Sequence, residues 1–325
     1  LLVLTIAQIL FSYPMTDKIG LLFSGQGAQA IGMGKDLCAN SAAAAEVFAR
    51  ADAVLDRPLS QLAFEGPLEE LTLTANCQPA LFVHGLAALA ALRAEAGDFP
   101  IAAAAGLSLG EFTAYAAAGT FDFETGLRLV EARGRFMEEA CQASEGAMAA
   151  LIGADESTVR ALAAETDVDI ANLNCPGQIV ISGEAERISL AISMAKESGV
   201  RKAALLNVAG AYHSRLMNPA YLKLGEKLLH TILLEPRFPV ISNIDARPAR
   251  DFDEIRRTLT EQVTGTVCWS QSVEYLLDEI GCTLLLELGP GNVLTGLVNR
   301  IRKGTPVLSV HDSASLAIAV ERLRG

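Results

Sequence analysis

Closely spaced cysteines are missing from this chain of 325 residues: Cys38, Cys77, Cys141, Cys175, Cys268 and Cys282 are scattered, without the C-x-x-C pair of a zinc site or redox motif. Reduced, mostly structural thiols in a cytoplasmic protein are the expectation. The four histidines, His84, His213, His230 and His311, show no H-E-x-x-H or similar spacing, so no metal is expected. Positive charge is also scarce. With 26 Lys and Arg against 38 Asp and Glu the formal net charge is -12, which argues against nucleic acid as a partner, because such binding rests on neutralising phosphates. The opening "LLVLTIAQILFSYP" is apolar but too short to span a bilayer, and it lacks the basic start and small-residue cleavage site of a signal peptide. No membrane partner is expected. Met15 follows at once, so residues 1–14 read as an upstream start or an extension, the alternative being an ordered strand or helix turn; residues 1–17 are set apart as a segment of uncertain order. Internal repeats and disordered linkers are absent too.

What is present is a chain with 51% hydrophobic residues, enough for one large domain or two unequal ones with real cores. "KIGLLFSG" reads as a strand running into a Gly/Gln loop, alanine-rich helical patterns fill most of the next seventy residues, and "FPIAAAAGLSLG" reads as a buried strand ending at a serine. "FETGLRLVEARGRFMEEAC" (Phe123–Cys141) carries an apolar helical stripe. From about Glu145 the rhythm becomes β-α-β-β-α-β, ending on "VRKAALLNVA" as a strand, with Asp155 and Gly183 near the helix starts. "CTLLLELGPG" and "TPVLSV" are later strands. The economical reading is one α/β domain, 18–144 and 211–325, interrupted by a small α+β insert, 145–210.

Gly106-Leu107-Ser108-Leu109-Gly110 fits G-x-S-x-G with a strand before it and a helix after it, the setting of a serine nucleophile on a tight turn. The glycines leave room for that turn, and the N–H of Leu109 points where an oxyanion would form. An ordinary Gly-flanked serine in a strand-to-helix turn is the bland alternative. The hydroxyl needs a base. His311 follows the last strand, where an α/β-hydrolase carries its triad histidine, and His213 follows the last strand of the insert; spacing does not choose between them. His84 lies in an apolar helical stretch and reads as a core residue, His230 as a helix-face residue. Arg133 falls on the apolar stripe of its helix while Arg128 and Arg135 point elsewhere. A buried guanidinium requires an anion, either an internal Asp or Glu or a substrate carboxylate that its planar fork matches. "SGQGAQAIGMG" is not a phosphate loop, because Gln29 and Asp36 stand where Walker A needs Gly and Ser or Thr; Gln26 is better placed to present a backbone N–H to an anion.

"LLFSGQGAQAIGMG", "GLSLGEFTAYAAAGTFDFETGLRLVEARGRFMEEA", "NCPGQIVISG", "GAYHSRLM" and "VEYLLDEIGCTLLLELGPGNVLTGLVNRI" together resemble malonyl-CoA:acyl carrier protein transacylases, in the same order and spacing, over roughly Lys18 to Arg302. The resemblance implies an α/β-hydrolase-like large domain with a short parallel sheet and an inserted ferredoxin-like domain. It implies Ser108 as the acylated nucleophile, His213 as its base, the backbone N–H groups of Gln26 and Leu109 as oxyanion hole, Arg133 as the clamp on the malonyl carboxylate, and Gln262 as the residue whose carbonyl orients the histidine. The implied activity is an acyltransferase moving malonyl from malonyl-CoA to an acyl carrier protein in fatty-acid biosynthesis by ping-pong exchange. No bound cofactor, and a monomer, are expected. A stand-alone acyltransferase of a polyketide pathway, a serine thioesterase or hydrolase using Ser108 and His311, and a noncatalytic carrier-binding scaffold are the competing readings. Leu107 departs from the family, which usually has histidine there, and Tyr212 stands where malonyl-selective relatives commonly have Phe. For an acidic carrier, "NRIRKG" (Asn299–Gly304) with Arg201, Lys202 and Arg215 is the candidate docking patch.

Overall fold

The structure is a computed structural model, and residues 17–325 are described; the expectation for residues 1–14 lies outside them. The first half runs β1 (Ile19–Phe23), α1 (Lys35–Asn40), α2 (Ala42–Leu55), α3 (Leu59–Glu65), α4 (Leu68–Thr72), α5 (Thr74–Ala96), β2 (Ile101–Gly106), α6 (Leu109–Ala118) and α7 (Phe123–Gln142). A small unit follows: β3 (Gly146–Ile152), α8 (Glu156–Thr166), β4 (Asp169–Cys175), β5 (Gln178–Glu184), α9 (Ala185–Met194) and β6 (Lys202–Leu205). The chain then returns through α10 (Asn218–Leu229), β7 (Val240–Ile241), α11 (Phe252–Glu261), α12 (Trp269–Asp278), β8 (Leu284–Leu288), α13 (Val293–Ile301), β9 (Val307–Val310) and α14 (Ser313–Arg324).

The large sheet has the order β7-β2-β1-β8-β9, and every pairing in it is parallel. Its central strands IGLLF and LLLEL are buried at every position, as a sheet covered on both faces requires. Leu21 and Phe23 face the core built by α2, α5, α6 and α7, while Leu22 faces the one built by α12 and α13. Of four successive alanines in β2, Ala102–Ala105, the last three are fully buried and leave room for the helices on both faces. Glu287 is the charged residue inside β8, and its carboxylate caps α13 by accepting from the N–H groups of Leu294 and Thr295, both at 2.8 Å. Helix α5 is long and apolar enough to cross a membrane, yet it is largely enclosed by the rest of the chain.

The second sheet is antiparallel with order β4-β5-β3-β6. Helices α8 and α9 cover one face of it, and Met148 and Val180 on the other face turn to the large unit. The α/β class, the short parallel sheet and the β-α-β-β-α-β unit all appear as the sequence led us to expect. Two details differ. Helix α9 starts after Glu184 rather than Gly183, which stays in β5. Strand β6 stops at Leu205; Leu206 N still donates to Met148 O of β3 at 2.9 Å, and Leu206–Ala209 line a cleft. The small sheet is stitched to the large unit where Val267, in the segment before α12, forms a parallel bridge to Asn172: Leu173 N donates to Val267 O at 2.9 Å and Val267 N to Ala171 O at 2.8 Å.

Candidate active site

Strand β2 ends at Gly106, paired with Phe23 at the end of β1, and α6 starts at Leu109. Between them Ser108 adopts φ 54 and ψ -106, a conformation L-residues rarely occupy. The flanking glycines are steric necessities. A Cβ on Gly106 would lie 1.9 Å from the carbonyl carbon of Gly110, and one on Gly110 would lie 2.1 Å from Phe23 O. Asn243, just after β7, ties the turn from both sides: its Oδ1 accepts from Ser108 N at 2.6 Å and its Nδ2 donates to Gly106 O at 2.7 Å. The serine is thereby held buried at the floor of the cleft.

His213, not His311, meets that hydroxyl. Its Nε2 lies 2.8 Å from Ser108 Oγ, and its Nδ1 lies 2.6 Å from the carbonyl oxygen of Gln262. A carbonyl only accepts, so Nδ1 carries the proton and Nε2 presents its lone pair to the serine. Burial, with the nearby Arg133 charge adding to it, lowers the imidazole pKa to about 4. At neutral pH the ring is therefore an uncharged acceptor. His311 sits after β9 with Nε2 3.6 Å from Asp312, and it neighbours the fully buried His84 of α5. His230 is the exposed C-cap of α10.

Arg133, on α7, is 1% exposed, whereas Arg128 and Arg135 are exposed. Its Nη1 donates to Gln78 Oε1 at 2.7 Å, and its Nη2 to Gln262 Oε1 at 2.6 Å and Ser108 Oγ at 3.1 Å. The ring of Phe112 lies 5.4 Å from the guanidinium carbon. Among the described residues no carboxylate comes within 4.0 Å of it. The internal acid that the sequence left open as its partner is thus not there; the nearest charged relation is a longer-range one with Glu111. Burial lowers the guanidinium pKa to about 10, which leaves it charged at neutral pH.

The cleft has a volume of about 460 Å³ and lies between the two sheets. Gln26 and Leu109 both line it, and neither backbone N–H has a hydrogen-bond partner among the described residues. Gly27 N, by contrast, is taken by Gln29 Oε1 at 2.7 Å. Tyr212 closes one side, its hydroxyl 2.5 Å from Thr74 Oγ1, and Leu107 adds an apolar wall. The basic patch proves smaller than the sequence suggested. Arg215 is bound to Asp167 and Asp169, and Arg302 to Asp278, so both are neutralised. Arg201, Lys202, Arg300 and Lys303 remain exposed, with no ion pair among the described residues, and Arg300 donates to Gln178 on the rim of the cleft.

Three site residues had no role in the reading of the sequence: Gln78, Asn243 and Glu111. Gln78 was open to notice as a polar residue in the apolar stretch of α5, and Glu111 as the residue directly after the elbow. Asn243 carries no local signal. Glu111 is completely buried; its Oε2 accepts from Asn243 N at 3.1 Å and from Gln262 Nε2 at 2.8 Å.

The acyl transferase domain family matches residues 21–280 of the chain. The malonyl CoA-acyl carrier protein transacylase of Bacillus subtilis is 43% identical over 313 residues, covering 95% of this chain and 98% of the relative. The crystal structure of acyl-carrier-protein-S-malonyltransferase from Bartonella henselae superposes with a TM-score of 0.90 at 40% identity, covering 94% of this chain and 99% of that one. A malonyl-transacylase in complex with a type II polyketide synthase acyl-carrier protein matches with a TM-score of 0.90 at 38% identity, again over 94% of this chain and 99% of that one.

Proposed function

Because the chain belongs to the malonyl-CoA:acyl carrier protein transacylase family of acyl transferases, we propose that it carries malonyl from malonyl-CoA to the phosphopantetheine thiol of an acyl carrier protein. The observation that carries this reading is the buried Arg133, charged, with no anionic partner within 4.0 Å among the described residues and in contact with Ser108. A site that keeps a bare guanidinium beside its nucleophile suits a substrate with a free carboxylate.

In the exchange, His213 Nε2 takes the Ser108 proton as Oγ attacks the thioester carbonyl. The N–H groups of Gln26 and Leu109 receive the oxyanion, and the carbonyl of Gln262 holds the imidazolium through Nδ1. The tetrahedral intermediate expels CoA, which leaves with the proton from His213, and malonyl stays on Ser108 with its carboxylate on Arg133. His213 next deprotonates the carrier thiol, which attacks the ester; Ser108 leaves and recovers its proton. Each step uses groups within this one chain, which fits the monomer expected from sequence, and the free thiol state of all six cysteines fits a cytoplasmic setting.

Intact-protein mass spectrometry after mixing with malonyl-CoA is the test. Wild type should gain one malonyl group and lose it on addition of holo-carrier protein, while Ser108→Ala should gain none. An adduct that decays at the same rate with and without carrier would sink the transferase reading in favour of a hydrolase. Fatty-acid biosynthesis is the proposed pathway, and the similarity to a transacylase bound to a polyketide carrier keeps a polyketide role as the second reading. Carriers of both kinds, offered in turn, distinguish them by kcat/KM.

Docking of the acidic carrier is assigned to Arg201, Lys202, Arg300 and Lys303 alone. Reversing the charges of Arg300 and Lys303 should raise the KM for carrier about tenfold or more at low salt while leaving malonyl loading unchanged. Equal damage to both half-reactions would remove the patch from the carrier's path.

A further inference from the structure

Glu111 is a buried ionisable group behind the cleft, not on its lining, that the exchange above leaves unused. It lies in the first turn of α6, fully enclosed, and is linked to Arg133 through one neutral side chain: Arg133 Nη2 donates to Gln262 Oε1 at 2.6 Å, and Gln262 Nε2 donates to Glu111 Oε2 at 2.8 Å. Gln262 Nε2 also donates to Ser108 O at 3.1 Å, so the amide is oriented from three sides. The second carboxylate oxygen, Oε1, is buried and has no hydrogen-bond partner among the described residues. Above the titration of Glu111, the resting site therefore holds one cation and one anion that do not touch.

Where Glu111 is ionised, a malonyl carboxylate arriving at Arg133 makes two anions for one guanidinium among buried side chains. Like charges at that range oppose ionisation of one of them. The substrate carboxylate gains direct donors from the guanidinium, whereas Glu111 has an oxygen with no donor, and protonating that oxygen leaves both bonds at Oε2 intact. Resting on the transferase reading, we propose that malonyl loading is coupled to uptake of one proton from solvent by Glu111, at Oε1. Glu111 is thus a positioning residue that sets Gln262 and yields its charge to the substrate. The acylation itself is proton-neutral, because the Ser108 proton departs on the CoA thiol. The charged and titratable groups facing Glu111 are Arg133 from α7, Asp245 from the turn after β7 and Tyr115 from its own helix. Burial already raises the Glu111 pKa to about 7, against the pull of its hydrogen bonds and of Arg133.

The test is stopped-flow detection of proton uptake with a pH dye in weak buffer at about pH 8, above the titration of Glu111. Wild-type protein is mixed with malonyl-CoA or acetyl-CoA, and uptake is normalised to acyl-enzyme by intact mass of the same mixtures. The same thiol leaves in both, so the expected result is an excess approaching one proton per malonyl group over acetyl, and its loss in Glu111→Gln. Equal uptake with the two acyl groups in wild type overturns the coupling even if Glu111→Gln does not fold, as does an excess retained in a folded Glu111→Gln. No malonyl adduct at all in wild type overturns the transferase reading itself, an outcome that the mass spectrum separates from the others.

Discussion

Replacing His213 with alanine is expected to lower kcat for malonyl transfer by about 10⁴-fold, while His311→Ala leaves it within about twofold. The imidazole of His213 is the group whose free lone pair touches Ser108 Oγ, and its other nitrogen is held by a carbonyl that cannot be replaced by water without losing alignment. Among the described residues the other side chain bonded to that hydroxyl is a guanidinium, which only donates. His311 meanwhile lies beside Asp312 and His84, away from the cleft. Single-turnover acylation, followed by quenched-flow mass spectrometry, measures the effect directly. The opposite ranking of the two variants would restore the hydrolase reading with His311 as its base.

Arg133→Ala should lose malonyl loading by about 3–5 kcal/mol, which is roughly two-hundred- to several-thousandfold in kcat/KM, and should affect acetyl loading far less. The reasoning is electrostatic. Without the guanidinium a malonyl carboxylate would enter a buried region already facing Glu111, with only neutral amides from Gln78 and Gln262 to receive it. Acetyl brings no charge and forfeits little. Arg133→Lys should recover part of the loss, because an ammonium keeps the charge but not the fork that meets Gln78, Gln262 and the substrate together. Competition between malonyl-CoA and acetyl-CoA for one pool of protein reads the preference from the ratio of adduct masses. An unchanged ratio in Arg133→Ala would mean that the carboxylate is recognised elsewhere.

The parts legible in sequence are those set by local sterics and periodicity. Gly106 and Gly110 announce the elbow because the turn tolerates no Cβ at either place, and the small antiparallel unit follows from alternating strands and capped helices such as the one begun by Asp155. Arg133 was visible as a charge on an apolar stripe, but what it meets was not, because Gln78 lies 55 residues before it and Gln262 lies 129 after it. The choice between His213 and His311 stayed open for the same reason: the decisive bond spans 105 residues. Asn243 reaches the elbow across 135 residues and looks like any polar residue after a strand. Arg215 reads as free basic charge in the sequence because its acids, Asp167 and Asp169, precede it by 48 and 46 residues. Long-range pairing decides such cases, and a single sequence does not encode it in any window of ordinary length.

The bridge between Asn172 and Val267 sits five residues beyond Gln262 along the chain. The same ribbon that anchors the insert thus also carries the carbonyl steadying the imidazole, so a hinge opening at the mouth would pull the catalytic pair out of register. In such a frame two long pantetheine arms, one soluble and one protein-borne, meet in succession one pair of side chains already set in place.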